Sequence, residues 1–315
     1  MAGQSWTVSA TGGYLANPRL SRQVRHAASL IMKFRQFVRP EPGYGKGKGD
    51  RILVDRITQV AVGGGKLTEN VRIPETNVTI SQQTVTVYEY GNAIPYTGKL
   101  ESLSEFSVDN LWTKALRDDM METLDTDCAA EFQAAQVKYT PTGTAAAPGG
   151  TFATDGTVAT AATRDVMGYD VKQVALYLAS TLKAPRYDGE NYICICPPEF
   201  VNALLGDDEI KQDFRYGDPA RLFIGEMGRW HHTRFIEETN VLDGTIGTTS
   251  YAAEAVMFGE DPVVEGVAVP GEIRAKIPED YGRSKGVAWY ALLGFKIVWD
   301  TAYARQARIV HITST

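Results

Sequence analysis

At 315 residues, the chain is long enough to bury a large core and to hold more than one structural unit. Its 43% hydrophobic and 22% charged residues are ordinary for a globular protein, and a formal net charge of −6 excludes binding of nucleic acid through bulk charge alone. The charge is unevenly placed. Between Met1 and Arg51 nine basic residues face only Glu41 and Asp50, which gives +7 and leaves about −13 for the remainder. A basic arm on an acidic body suits contact with acidic surfaces, including those of identical copies. Three cysteines, an odd number, point to reduced thiols. MAGQSWTVSATGG holds no apolar segment suited to a cleaved signal, and no run approaches the ~18 apolar residues that span a membrane.

Residues 1–16, rich in Gly, Ser and Thr, read as extended or mobile. Asn17-Pro18 then opens a helical pattern through Leu20, Val24, Ala27, Ala28, Ile31, Phe34 and Val38, which Pro40, Pro42 and GYGKGKG stop. RILVDRITQVAV (51–62) alternates as a strand, GGGKLTENVRIPET (63–76) is a tip, and NVTISQQTVTVYEY (77–90) is the return strand. This long ribbon has little core of its own, so it must lie on something else, and a neighbouring subunit is a candidate. Ser107 is placed to cap a long helix whose apolar stripe runs from Val108 through Leu116, Leu124 and Phe132 to Ala135. Asp118, Asp119, Glu122, Asp125, Asp127 and Glu131 are expected on its outer face. The small residues of 140–163 suggest a surface loop or a disordered insert.

Beyond Arg164, DVMGYDVKQVALYLASTLK reads as a helix, ENYICICPP as a buried strand and PEFVNALLGDDEIKQDF as a turn and helix. GVAWYALLGFKIVWD and ARIVHITST close the chain as two strands that break near Asp300-Thr301. Both parities of the first are apolar, so it should be buried. Helices and strands mix without a repeating parallel unit, so the class is α+β.

Little here resembles catalytic chemistry. GKGKGD and GGGKL lack the spacing of a phosphate loop and read as turns. His231 and His232 are adjacent, so on a strand they would face opposite ways and could not share a metal. Cys194 and Cys196 are not a CxxC pair and read as small packed hydrophobes. No catalytic, cofactor or metal residue is assigned.

The order of elements resembles that of the tailed-bacteriophage major capsid proteins of the Hong Kong 97 fold, in a podophage-type branch. GKGKGDRILVDRI is similar to the entry of that family's extended loop, and LSEFSVDNLWTKALRDDMMETLDTDCAAEFQ to its spine helix. IGEMGRWHHTRFIEETNV resembles an axial-domain segment, with Gly225, Gly228, Arg234, Thr239 and Asn240 at the matching positions, and KGVAWYALLGFKIVWDTAYARQARIV resembles the closing strands. The resemblance implies an N-terminal arm (1–45), an extended loop (46–98), a peripheral domain with spine helix and insert (99–163), a mainly axial region (164–275) and closing strands (276–315). It also implies pentamers and hexamers that form an icosahedral shell around double-stranded DNA, bound without sequence specificity. The implied location is the virion, assembled in the host cytoplasm without a membrane.

A portal, a separate scaffolding protein and a decoration protein are the further partners it implies. Arg19, Arg22 and Arg25 are expected to pair with carboxylates of a neighbour such as Asp118, Glu122 and Asp125. Lys66, Leu67 and Arg72 are expected to touch a neighbour from the loop tip. Lys66 by itself gives no evidence of crosslinking chemistry. Two other readings stand beside this one: an encapsulin-type nanocompartment shell and, in a different class, a cysteine hydrolase.

Overall fold

The computed structural model describes residues 30–42, 49–57, 65–73, 75–78, 80–104, 107–216, 228–245, 251, 254–278 and 280–314. Arg19, Arg22, Arg25 and Gly225 lie outside these ranges. The strands are β1 (Arg39–Pro42), β2 (Arg51–Ile57), β3 (Ile80–Thr86), β4 (Tyr88–Thr97), β5 (Val137–Thr144), β6 (Ala147–Ala153), β7 (Tyr192–Cys196), β8 (Arg229–Trp230), β9 (Thr233–Glu237), β10 (Ala255–Phe258), β11 (Val263–Ala275), β12 (Ser284–Ile297) and β13 (Ile309–Ile312). The helices are α1 (Gly98–Leu103), α2 (Val108–Gln133), α3 (Gly168–Leu176), α4 (Pro198–Leu205) and α5 (Asp208–Tyr216).

They build three sheets. One has four strands in the order β1-β11-β12-β4, one has seven in the order β6-β5-β13-β10-β7-β9-β8, and β2 with β3 forms a separate ribbon. Both large sheets draw on distant parts of the chain. β13 pairs in parallel with β5, and β11 pairs antiparallel with β12. Boundaries at 163/164 and 275/276 therefore do not separate the sheets.

α2 is the shared support. At ~1.5 Å per residue its 26 residues run about 39 Å. Leu116, Leu124, Cys128, Ala129 and Phe132 bury one face of it. They share a single apolar cluster with Val287, Trp289, Ala291, Leu293, Phe295 and Ile297 of β12 and with Ile193, Ile195, Val256 and Phe258 of the seven-stranded sheet. The alternate residues Cys194, Cys196, Met257, Val310 and Ile312 enter a second cluster beneath α3 and α4. The central strands of this sheet are thus apolar on both faces, which is why YICIC has no polar alternation.

Several expectations change. Ser107 occupies the N-cap position of α2, but its side chain makes no capping bond. The segment 140–163 is not a loose insert: 137–153 forms the β5–β6 hairpin at the end of the seven-stranded sheet. Its composition could not show this, because the local ladder carries no apolar alternation and is fastened by Arg164 and, at 137–139, by β13. The Arg164 guanidinium donates to the carbonyls of Thr142 and Gly149 and to Asp170, which in turn accepts from the Tyr139 hydroxyl. The return strand 77–90 is two strands, with β3 pairing β2 and β4 pairing β12. The helical pattern ending at Val38 gives way to a 3-10 turn (Phe34–Phe37) and then to β1. Pro40 and Pro42 are tolerated there because β1 is an edge strand, where a missing N–H costs no ladder bond. β12 buries its odd residues 287–297 together with Gly286 and Gly294; Ala288, Tyr290 and Leu292 are half-buried.

Candidate assembly interface

The ribbon has two unlike faces. In its antiparallel register Ile52 lies opposite Val85 and Ile57 opposite Ile80. Ile52 and Val85 are 1% and 0% exposed and face the four-stranded sheet, whereas Leu53, Ile57 and Ile80 on the other face are 55%, 60% and 62% exposed. The root sits on a glycine floor. Gly266 of β11 is paired with Gly294 of β12. A Cβ on Gly266 would overlap the Ile52 side chain, and one on Gly294 would overlap the backbone of Thr86. An isolated glycine in an apolar strand is a sequence signal for such close backbone approach, and it is the feature the sequence reading missed. Further out, the Arg56 guanidinium donates to the Val298 carbonyl (2.6 Å) and to Asp300 (2.7 Å), and the Gln83 amide donates to Asp300 (3.2 Å).

The expectation of a ribbon without core of its own is therefore amended: its root is anchored on its own chain, and its outer face is not covered by the described residues. Seven of the eighteen large hydrophobics exposed among the described residues lie between Leu53 and Ile80, so apolar surface is concentrated there. At the tip Lys66 is exposed, Leu67 is 60% exposed, and Arg72 pairs locally with Glu75.

The acids of α2 do not form one outer face. Asp119 accepts hydrogen bonds from Trp289 (2.6 Å) and Asn92 (3.1 Å), Asp127 accepts from the Tyr90 hydroxyl, and Glu131 pairs with Lys296. Asp125 is a correction to the expected interface. It is buried and accepts the backbone N–H of Arg35 at 3.1 Å, and burial raises its carboxyl above the ordinary range. Glu122 is exposed and Asp118 half-buried.

Asp125 helps to hold the root of the N-terminal segment. Arg35 also pairs with Glu265 at 2.7 Å, the tilted rings of Phe34 and Phe132 lie 5.3 Å apart, and Ile31 exchanges backbone and side-chain hydrogen bonds with Thr239. Glu238, fully buried, accepts the amides of Asn240, Val241 and Leu242, and Asn240 donates to Thr126 of α2. The Thr239-Asn240 match thus fastens the segment leading from the arm to the spine helix.

The thiols that a cysteine hydrolase would use lie inside the protein. Cys128, Cys194 and Cys196 are buried free thiols. Burial pushes Cys128 well up, and a hydrogen bond with Cys194 together with burial does the same for Cys196. A nucleophile needs an accessible thiolate, and these environments oppose one. His231 and His232 sit not on a strand but in the two-residue turn between β8 and β9, both at positive φ. Among the described residues no group of three or more His, Cys, Asp or Glu could hold a metal, and no helix is long and apolar enough to cross a membrane.

Residues 81–306 match the family model described as phage capsid protein. The chain belongs to the phage capsid protein family. The structure of this capsid protein is similar to the head structure of Helicobacter pylori bacteriophage KHP40, with a TM-score of 0.71 at 12% identity over 98% of this chain and 99% of that one. It is also similar to the capsid of Ralstonia phage GP4, with a TM-score of 0.66 at 17% identity over 99% and 98% of the two chains. Cyanophage Pam1 gives a TM-score of 0.64 at 16% identity over 100% and 99%. The fold is the Hong Kong 97-type capsid fold. No curated protein matches the chain.

Proposed function

We propose that the capsid protein assembles as pentamers and hexamers into a closed icosahedral shell around double-stranded DNA, within the virion and after assembly in the host cytoplasm. The observation that carries this reading is the ribbon: a two-stranded element, anchored at its root, with an apolar outer face that the described residues of its own chain leave uncovered. Exposed apolar surface costs roughly 25 cal/mol per Å² relative to burial, so an adjacent copy that covers Leu53, Ile57 and Ile80 gains in proportion to the area hidden. Many such shared interfaces close a shell without covalent links.

In this reading 1–45 is the arm and 46–98 the extended loop, joined through β1 and β4 to the four-stranded sheet; that sheet with α2 is the peripheral part and the seven-stranded sheet the axial part. Lys66, Leu67 and Arg72 touch the neighbour from the tip. Arg19, Arg22 and Arg25 pair with acidic groups of another copy, for which Glu122 and Asp118 remain suited. A separate scaffolding protein, a portal and a decoration protein are partners in the same reading.

Light scattering and nuclease-protected DNA content of particles from infected cells test it. Large particles with protected double-stranded DNA are expected. A stable monomer under all assembly conditions would refute assembly. Particles enclosing a cargo enzyme in place of DNA would indicate a nanocompartment.

A further inference from the structure

A ribbon attached at one point pivots, and a ribbon attached at two separated points has a direction. The first point is the apolar root, where Ile52 and Val85 sit on the glycine floor. The second is Arg56, four residues further along β2, or about 13 Å at ~3.3 Å per residue. Beyond Arg56 the last described rung, Ile57 opposite Ile80, is exposed. Arg56 is therefore the outermost described tie between ribbon and body.

Its geometry is that of a clasp. The side chain is 13% exposed, and it donates from Nη1 to both Val298 and Asp300 and from Nε to Ser81 (2.9 Å) on the partner strand. Gln83 occupies the second Asp300 oxygen. The segment it grips, 298–308, is the passage from β12 of the four-stranded sheet to β13 of the seven-stranded one. The parallel passage from β10 to β11 lies beside it, tied by the Gly259 N–H to the Arg308 carbonyl (2.9 Å) and by Arg308 to the Glu260 carbonyl (2.9 Å).

We propose that Arg56 and Asp300 form a latch that sets the direction of the ribbon by fastening it to the connection between the two large sheets. The latch presents the apolar outer face to a second copy at a fixed angle, so that little ordering is left for the moment of binding. This rests on the ribbon being an intersubunit element. A change in the relative setting of the sheets is passed to the ribbon through Asp300, and a neighbour pulling on the ribbon acts on the connection by the same route.

The test uses full-length unassembled subunit. Arg56→Ala and Asp300→Ala are compared with Arg72→Ala, a tip residue that among the described residues pairs with Glu75 alone. Deuterium exchange of 53–57 and 80–84 should rise about tenfold in both latch variants, as loss of a charge-assisted hydrogen-bond set implies. It should not change in Arg72→Ala, and β7 and β10 should stay protected in all three. Unchanged exchange in both latch variants would overturn the proposal, since the root alone would then hold the ribbon. Faster exchange throughout the four-stranded sheet would also overturn it, by making Arg56 a general stabiliser. Assembly is scored separately. Faster ribbon exchange with normal assembly upholds the latch and refutes the intersubunit role of the ribbon. Impaired assembly with unchanged exchange refutes the latch and leaves that role standing.

Discussion

Gly294→Ala perturbs the ribbon at its foundation. The added Cβ would overlap the carbonyl oxygen of Thr86, which is backbone held in the β3 ladder and not the end of a flexible side chain. Two responses compete. If the root lifts away entirely, Ile52 and Val85 lose their burial at about 1.5–3 kcal/mol each, or roughly 3–6 kcal/mol together. If the root rises only slightly and packing loosens, overpacking costs about 1–3 kcal/mol. The smaller cost wins, so local opening of the ribbon should increase roughly ten- to a hundredfold while the sheet beneath keeps its ladder. Gly266→Ala is the comparison. Its Cβ meets the terminal methyl of Ile52, which can rotate, so its effect should be smaller. Exchange of 80–87 in free subunit reads both. Wild-type exchange in Gly294→Ala, or a larger effect from Gly266→Ala, would refute the glycine-floor argument.

Leu53→Asp with Ile57→Asp should abolish assembly yet change subunit stability by no more than about 0.5 kcal/mol, because both side chains are exposed in the free chain; a melting curve and sedimentation of the same sample check it. Buried His311 accepts from Lys138 Nζ through Nδ1 (3.1 Å) and faces Glu254 through Nε2 (2.5 Å), while Gln133 of α2 donates to Glu254 and accepts from Lys138. Burial lowers the His311 pKa, with Glu254 opposing, so the unfolded chain takes up the proton first and stability should fall as pH drops below the unfolded value near 6.5. His311→Gln should flatten the curve between pH 7 and 5, read as denaturation midpoint against pH; an identical slope in both proteins would remove His311 as the cause.

The spine helix was legible because its stripe, Leu116 to Phe132, repeats at helical period and no other segment competes for it. β12 was legible as a strand from its apolar run, but not which of its faces is buried, since that depends on α2 lying over the odd residues. β5 and β6 were not legible. TPTGTAAAPGG has no apolar alternation, and its order comes from the β5–β6 ladder and from Arg164, which holds Thr142 and Gly149. The break between β3 and β4 at Val87 carries no Gly or Pro. Of the expected contact residues, Lys66, Leu67, Arg72 and Glu122 are exposed, whereas Asp125 looked like its acidic neighbours and differs because the Phe34–Phe37 turn packs against it.

Electron cryomicroscopy of the assembled particle tests the central claim most directly. The account predicts a closed icosahedral shell of five- and sixfold clusters in which Leu53, Ile57 and Ile80 of each ribbon are covered by an adjacent copy. A closed shell in which that face lies open to solvent, or packs back on its own chain, would contradict it.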